Sequence, residues 1–457
     1  MVVDLAKRLA AAPPQPPHRP AAETPNNAIF PQSFFDEQLR TASASLYHSA
    51  FQLGTVAPVH SGKVKDSTTE KAWWATVVYF LLHGFIVSTW ISRIPAVKTN
   101  LNLSNGILGL TLLGSAFGAV SSIPIAGILI GRYGSKKVTI GSTAGFCITL
   151  ILPGLAFNAI TLFIALFLFG VAAAAMDVSM NAQGVEVEKR FGFPTMSRFH
   201  AMFSIGGMAG AGIGGLIASR HVQPFPHFGI SAAVYLLITF SVASLLLETH
   251  DGPKREEHRL PLNKIPPVLF ALSAIGFCIL LSEGAIADWT AVYLRQTLQA
   301  GPGMAAAGYA VFSAAMAVFR LLGDLITARL GPLRTVRIGS LVAAAGLFWA
   351  LAVHSPAWSL PGFAAAGAGL SVIIPLVFGA GGRVASVSPG AGIATVTGIG
   401  YIGFIVGPPT IGFASQLFTL RYALVFVIAC CLVSALLSRF LGVVNSGPAT
   451  ASADYSY

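Results

Sequence analysis

Asp177, Glu283, Asp288 and Arg320 each stand in an otherwise apolar stretch: AAAAMDVSMNAQG, CILLSEGAIADW and the run that precedes LLGD. In hydrocarbon, one such charge costs about 2.5–3.5 kcal/mol by insertion scales, so an ionisable group at that depth defaults to function. Carboxylates there can exchange protons or accept hydrogen bonds from hydroxyl groups. Asn181 and Gly184 follow Asp177 at the fourth and seventh positions, which places all three on one helical face. That face is polar among Ala, Val, Leu and Phe and belongs toward a bundle interior. Asp177 is therefore a candidate proton carrier or solute ligand; the plainer alternative is a structural hydrogen bond to a neighbouring helix. Glu283 is set deep in its segment, with Asp288 and Trp289 nearer one end. An acid with aromatic rings one or two turns away suits a polyol, because carboxylates accept hydroxyl hydrogen bonds while flat rings pack on C–H faces. Trp289 and Tyr293 also fit an interfacial aromatic belt, the preferred reading for Tyr293. Arg320 and Asp324 are four apart, so they are expected to form a structural ion pair on one helix, cheaper in lipid than either charge alone.

The segments that must position these groups are membrane helices. The chain has 457 residues, 54% of them hydrophobic and 10% charged, with a mean hydropathy of +0.72. Apolar runs of about 20 residues recur, the length that crosses about 30 Å of hydrocarbon; the alternating ten-residue segments of a membrane barrel are missing. Twelve spans are expected, over 72–96, 106–131, 138–157, 160–184, 198–219, 229–247, 267–294, 303–328, 336–353, 357–382, 391–416 and 420–443. Residues 1–70 are rich in Pro and polar residues and are expected to be a disordered cytoplasmic tail, as is 444–457. The polar stretch HDGPKREEHRLPLNK makes 249–266 a linker between two six-helix halves, 71–248 and 267–443.

Loop charges orient this map. One side carries Arg132, Lys136, Lys137, Lys189, Arg190, Arg198, Lys254, Arg255, Arg259, Lys264, Arg329, Arg334, Arg337 and Arg383; the other carries Arg93, Lys98, Arg220, Arg295 and Arg421. The positive-inside rule makes the richer side, with both termini, cytoplasmic. The net charge of +11 thus serves topology and does not point to nucleic acid. Cys147, Cys278, Cys430 and Cys431 lie in apolar segments without ligand spacing, so they read as small core residues. No phosphate-binding Gly-x-x-x-x-Gly-Lys-Ser/Thr loop, His-Glu-x-x-His or Gly-x-Ser-x-Gly occurs. No catalytic residue, metal or cofactor is expected, and the chain does not read as an enzyme.

The halves echo each other. LLHGFIVSTW aligns with LLSEGAIADW once one residue is removed from the second, so that His83 falls on Glu283 and Trp90 on Trp289. GILIGRYGSKK ends the second span as DLITARLGPLR ends the eighth, and FSIGGMAGAGIGG matches TGIGYIGFIVGPPTIG in Gly content. Matched pairs in matched order argue for a duplicated six-span unit. His83 is a satisfied core histidine or, by its match to Glu283, a cavity residue. The Gly206/Gly210 and Gly403/Gly407 pairs give small-residue packing faces, and Pro408-Pro409 is expected to break the ladder of span eleven and bend it.

On these features the chain resembles the major facilitator superfamily. That family carries Gly-x-x-x-Asp-Arg-x-Gly-Arg-Lys/Arg between spans two and three; Gly127, Arg132, Gly134 and Lys136 match it, while Gly131 replaces the acid and Ser135 the second basic residue. The second half keeps Arg329 and Gly331, with Asp324 for the leading Gly and Ala328 for the acid. Within the family, SRIPAVK, MDVSMNAQG, RFHAMFSIGG and EGAIADWTAVYL look most like a bacterial branch akin to the fucose permeases. The resemblance implies an all-α integral membrane fold of two pseudo-symmetric halves in the bacterial inner membrane. It also implies a secondary active transporter, acting as a monomer and moving a small polar, sugar-like solute by alternating access together with protons, as a symporter does. Asp177 and Glu283 are then the expected coupling residues, and Asn181, His83, Trp90, Asp288 and Trp289 the expected solute contacts. Gly127, Arg132, Gly134, Arg329 and Gly331 are the expected gate. Arg198 and His200, at the start of span five, either join the gate or anchor the helix by pairing with Glu186 or Glu188. Proton-driven export of a drug-like compound stays open on the same fold. Drug-antiporter branches, however, place a Gly-Pro motif in span five, whereas this chain carries its Pro pair in span eleven. A non-transporting sensor or channel is the remaining alternative, and the tails look too short for the folded domain a sensor would need.

Overall fold

The computed structural model describes residues 67–192, 195–249 and 265–445. The expected tails and linker lie almost entirely outside these residues, as do Lys254, Arg255, Arg259 and Lys264. Twelve helices are long and apolar enough to cross a membrane, and no strand occurs among the described residues. Numbered in chain order, the spans are Ser67–Asn100, Asn105–Tyr133, Ser135–Gly154, Ala159–Phe191, Met196–Ser219, Pro224–Leu245, Pro267–Gln296, Pro302–Leu321, Gly323–Ala352, Pro356–Gly381, Pro389–Leu417 and Leu420–Gly442. Odd spans start at one membrane face and even spans at the other, so both ends of the bundle share a face, called here the terminal face.

Local chemistry explains the helix ends. Asn158 and Thr161 form a reciprocal capping box at the start of span 4, and Ser104, Ser388 and Thr419 accept from the first turns of spans 2, 11 and 12. Proline opens spans 6, 7, 8, 10 and 11, where its missing N–H costs nothing. Three interior breaks were not foreseen. Span 1 stops at Ile91 and resumes as Ile94–Asn100 around Pro95. Span 10 stops at Leu370 and resumes as Ile373–Gly381 around Pro375, as a ring that clashes with the preceding turn requires. The helix expected over 303–328 is interrupted at Leu322, before Gly323. Conversely, Pro408 and Pro409 leave span 11 a single helix. Gly109 of span 2 lies against the Pro408 carbonyl there, close enough that a methyl group on Gly109 would collide with it.

Spans 1 and 7 are central: 78% and 72% of their most apolar windows are buried, against 17% for span 6. Span 6 instead turns Ile230, Leu237 and Phe240 outward, where lipid would be. Packing repeats between the halves. Span 5 meets span 1 through Gly206 on the Leu81 carbonyl, and span 11 meets span 7 through Gly403 on the Phe277 carbonyl. Those contacts are close enough to admit no side chain.

The strongest echo is a pair of turns at the terminal face. Gly134, between spans 2 and 3, has φ 81° and ψ 154°; Gly331, inside the helical stretch that enters span 9, has φ 75° and ψ 158°. This is a region of backbone space that essentially only glycine occupies. The first turn is also clamped. Ser135 N–H donates to Thr249 Oγ1 (3.1 Å), and Lys136 pairs with Glu248 (3.1 Å). Gln183 of span 4 donates to Ser135 Oγ (2.7 Å) and the Leu247 carbonyl (2.8 Å) while accepting from Leu247 N–H (3.0 Å). The end of the first half is thereby tied to the turn that opens span 3.

A Cβ on Gly134 would strike the Thr249 carbonyl, whereas one on Gly331 would meet open space. Gly331→Ala is expected to lose only the backbone term, about 1–3 kcal/mol, and Gly134→Ala distinctly more. Thermal unfolding of the two purified variants in the same detergent checks the order.

Candidate functional site

Both halves contribute to a central cavity of about 380 Å³. Its polar lining comes from His83 and Trp90 of span 1, Ser115 of span 2, Asp177 of span 4, His200 of span 5, Asp288 of span 7, Arg320 of span 8 and Tyr401 of span 11. Phe169, Phe203 and Phe404 supply flat apolar walls. A second cavity, about 350 Å³, lies nearer the terminal face and is lined by His200, Glu283, Arg320, Asp324, Ser371 and Pro375 among others. His200 and Arg320 belong to both cavities and so form the partition between them.

Each group is held by the helix that carries it. The Asp177 carboxylate accepts from Asn181 Nδ2 (3.1 Å), which also donates to the Asp177 backbone carbonyl (2.8 Å). Asn181 is thus a support for Asp177, folded back along its own helix, and does not line the cavity. His83 is buried between the rings of Phe146 and Phe203, at 5.4 and 5.3 Å, and its ring nitrogens have no hydrogen-bond partner of normal geometry. Asp177 and His83 are near enough for their charges to act on each other, and His200 is within reach of Asp177, His83 and Arg320. Asp288 faces the central cavity. Its neighbour Trp289, about 100° further round the helix, is fully buried with an unpartnered Nε1, so it packs in the core and does not contact solute space.

Glu283 shares the second cavity with Arg320, and its Oε1 is buried without a partner. The expected Arg320–Asp324 ion pair is not formed. The interruption at Leu322 takes the two residues off a common helix, Asp324 is exposed, and the guanidinium turns inward. Arg320 Nη1 donates to Ser204 Oγ (2.8 Å) of span 5, and Nε donates to the Ser371 carbonyl (3.3 Å) of span 10. Arg320 is therefore a cavity residue that crosses between the halves.

The residues expected to gate lie at the terminal face, apart from these cavities. Arg132 is exposed over the Tyr133 ring, with 5.2 Å to its centroid. Arg329 and Arg198 are also exposed, and Gly127 has open space around it. His200 is instead in the partition. Glu186 bonds Arg190 (3.1 Å), and Glu188 accepts from the Thr195 and Met196 N–H groups (2.6 and 3.0 Å), capping span 5. Sequence reasoning passed over Tyr401, which sits in a run read for its glycines, and over the three phenylalanines, which look like any lipid-facing ring in the sequence.

The two faces differ in how the halves meet. Opposite the terminal face, spans 2 and 11 touch through Gly109 on Pro408 and Gly412 on the Asn105 carbonyl, and Gln416 donates to Ser104 Oγ (2.7 Å). Spans 5 and 8 touch there through Gly215 and Gly303. Toward the terminal face, a methyl group added at Gly127 or Gly131 of span 2, or at Gly398 of span 11, would meet nothing within 4 Å.

A family model described as the Major Facilitator Superfamily matches residues 75–389. The chain is 35% identical over 373 residues to an uncharacterized MFS-type transporter of Yersinia pestis, covering 80% of this chain and 94% of that protein. A bacterial homologue of the human lysosomal transporter Spinster, inward-facing and unoccupied, is similar at TM-score 0.65 and 16% identity, over 84% of this chain and all of the other. The E. coli fucose:proton symporter FucP, solved also in the outward conformation, is similar at TM-score 0.54 and 16% identity, over 81% and 99%. At those identities the solved structures share the fold. The chain belongs to the major facilitator superfamily and is a multi-pass membrane transporter.

Removing Arg320 strips the Ser371 carbonyl of its donor and leaves the Glu283 carboxyl without a nearby cation. Arg320→Gln is expected to cost about 2 kcal/mol or more, and Asp324→Asn, at an exposed position, less than about 0.5 kcal/mol. Adding Glu283→Gln should recover part of the Arg320→Gln loss, read as non-additive melting temperatures across the double-mutant cycle.

Proposed function

We propose that this major facilitator moves a small polar, sugar-like solute by alternating access and that protons drive it. The observation that carries this reading is the central cavity itself. Asp177 and Asp288, from opposite halves, face one cavity together with His83, Tyr401 and the Trp90 ring. Carboxylates and a hydroxyl can bond sugar hydroxyls, and the aromatic faces can pack on the C–H surface. Asp177, braced by Asn181 and within electrostatic reach of His83 and His200, is the proposed proton site on the solute side. Glu283, across the partition, is the proposed site on the terminal-face side, where a proton leaves after Arg320 shifts between the carboxyl and its present carbonyl partner.

Loop charge favours the cytoplasmic side of a bacterial inner membrane for the terminal face. On that orientation the contacts of spans 2 with 11 and 5 with 8 close the outer mouth, and the conformer faces inward. The likeness to an inward-facing solved structure supports the same assignment. Alternation then needs a solute that binds both states without strongly preferring either. The proposed working unit is the monomer, since each chain carries a complete cavity between its halves.

One observation favours a second reading. Phe169, Phe203 and Phe404 give the cavity a broad apolar wall, which would also suit proton-driven export of a drug-like cation held by Asp177.

Proteoliposomes with an imposed pH gradient test both readings, with sugars, amines and organic acids as candidate solutes. Wild type should accumulate a sugar-like solute against its gradient. Asp177→Asn should abolish accumulation while still exchanging labelled for unlabelled solute, and Glu283→Gln should do the same. Concentrative transport surviving in both variants would falsify the coupling assignment; gradient-driven movement of hydrophobic amines alone would establish export.

A further inference from the structure

The mouth closed by the two halves is chemically unlike the rest of the molecule. None of the six loops at that face contains an Asp or Glu, whereas Arg93, Lys98, Arg220, His221, Arg295 and Arg421 all lie there. Cations gathered around a closed mouth repel one another, which favours an anion held among them.

A third cavity, about 230 Å³, lies within this mouth. Arg93, Asn100, His221 and Gln223 line it from the first half, and Arg295 lines it from the second. Arg93 is only 3% exposed. Its Nη2 donates to the Val222 carbonyl, but its Nε and Nη1 are buried with no hydrogen-bond partner. Nε and Nη1 point to different sides of the guanidinium, so each is left to find its own oxygen acceptor, and an oxyanion is the strong acceptor for such a charged donor. Asn100 donates to Gln223 (3.4 Å), and Arg295 holds the Ala300 carbonyl through Nη1 (2.8 Å), which leaves its remaining donors available. Spans 6 and 8 both begin at this cavity, and neither start is capped by a side chain. Pro224, Pro226 and Pro302 remove several of the first-turn N–H groups, so it is the dipoles of these two helices that add to the attraction for negative charge.

We propose that this cavity binds a phosphate-type oxyanion, held by Arg93 with Arg295 and His221, which bridges the two halves and favours closure of this mouth. The site is separate from the central cavity and does not depend on the identity of the transported solute. The same chemistry could be supplied by free phosphate or by the headgroup of an anionic phospholipid.

The test compares wild type, Arg93→Gln and Arg295→Gln by thermal unfolding. One arm titrates inorganic phosphate into protein in a nonionic detergent, against sodium chloride at matched ionic strength. The other compares nanodiscs of phosphatidylcholine with and without phosphatidylglycerol. A rise in unfolding temperature with phosphate identifies a free anion, and a rise confined to phosphatidylglycerol identifies the lipid headgroup. Arg93→Gln should need about tenfold more of the effective probe, or more, for half the effect. Arg295 is exposed, so its variant keeps the comparison valid even if Arg93→Gln does not fold. No rise in either arm, or an equal rise in all three proteins, overturns the proposal.

Discussion

Lipid does not solvate a polar group, and that single constraint shapes this molecule more than any contact within it. Backbone groups meet it by helix formation. Hydroxyls meet it by bonding back onto their own helix, as Thr76 does to the Ala72 carbonyl (2.8 Å), Ser88 to Gly84 (2.8 Å) and Thr89 to Phe85 (2.7 Å). Ionisable groups have no such local remedy. Asp177, Asp288, Glu283 and Arg320 are brought instead to cavities between the halves, so the polar seam follows from placing charges in an apolar chain. The spans that carry little charge, such as span 6, are left to face lipid.

Fold and site were not equally legible in the sequence. Span number and order follow from run length, which registers over many residues and tolerates local error. The breaks were harder to read, because a proline acts according to its tertiary surroundings. Pro375 and Pro95 sit at interruptions, but Pro408 and Pro409 are absorbed by a neighbouring glycine surface. Facing was harder still. In a helix that is apolar all round, no stripe marks the inner side. Glu283 and Asp288 are five residues apart, which is about 140° around a helix, and that rotation sends them to different cavities. Asp288 and Trp289 diverge for the same reason. The expected Arg320–Asp324 pair failed because spacing implies adjacency only while one helix persists.

Duplication is visible most clearly where sequence identity is slight. YGSKK and LGPLR share only a glycine and a following basic residue, yet both glycines adopt nearly the same rare conformation. The network around the first turn is built on Gln183, Ser135 and Thr249, whereas past the second turn Arg337 Nε donates to Ser438 Oγ (3.2 Å) near the end of span 12. The backbone turn is the shared element, and the two halves tie it down with different polar partners.

The partition made by His200 and Arg320 carries a kinetic consequence. It is a wall of side chains, where the mouth opposite the terminal face is a wall of packed helix backbones. Exposed side chains change rotamer in about picoseconds to nanoseconds, while collective helix movements take about microseconds to milliseconds. Under the proposed cycle, passage between the two cavities is the fast stage, and separating the glycine-packed spans at the far mouth is the slow one.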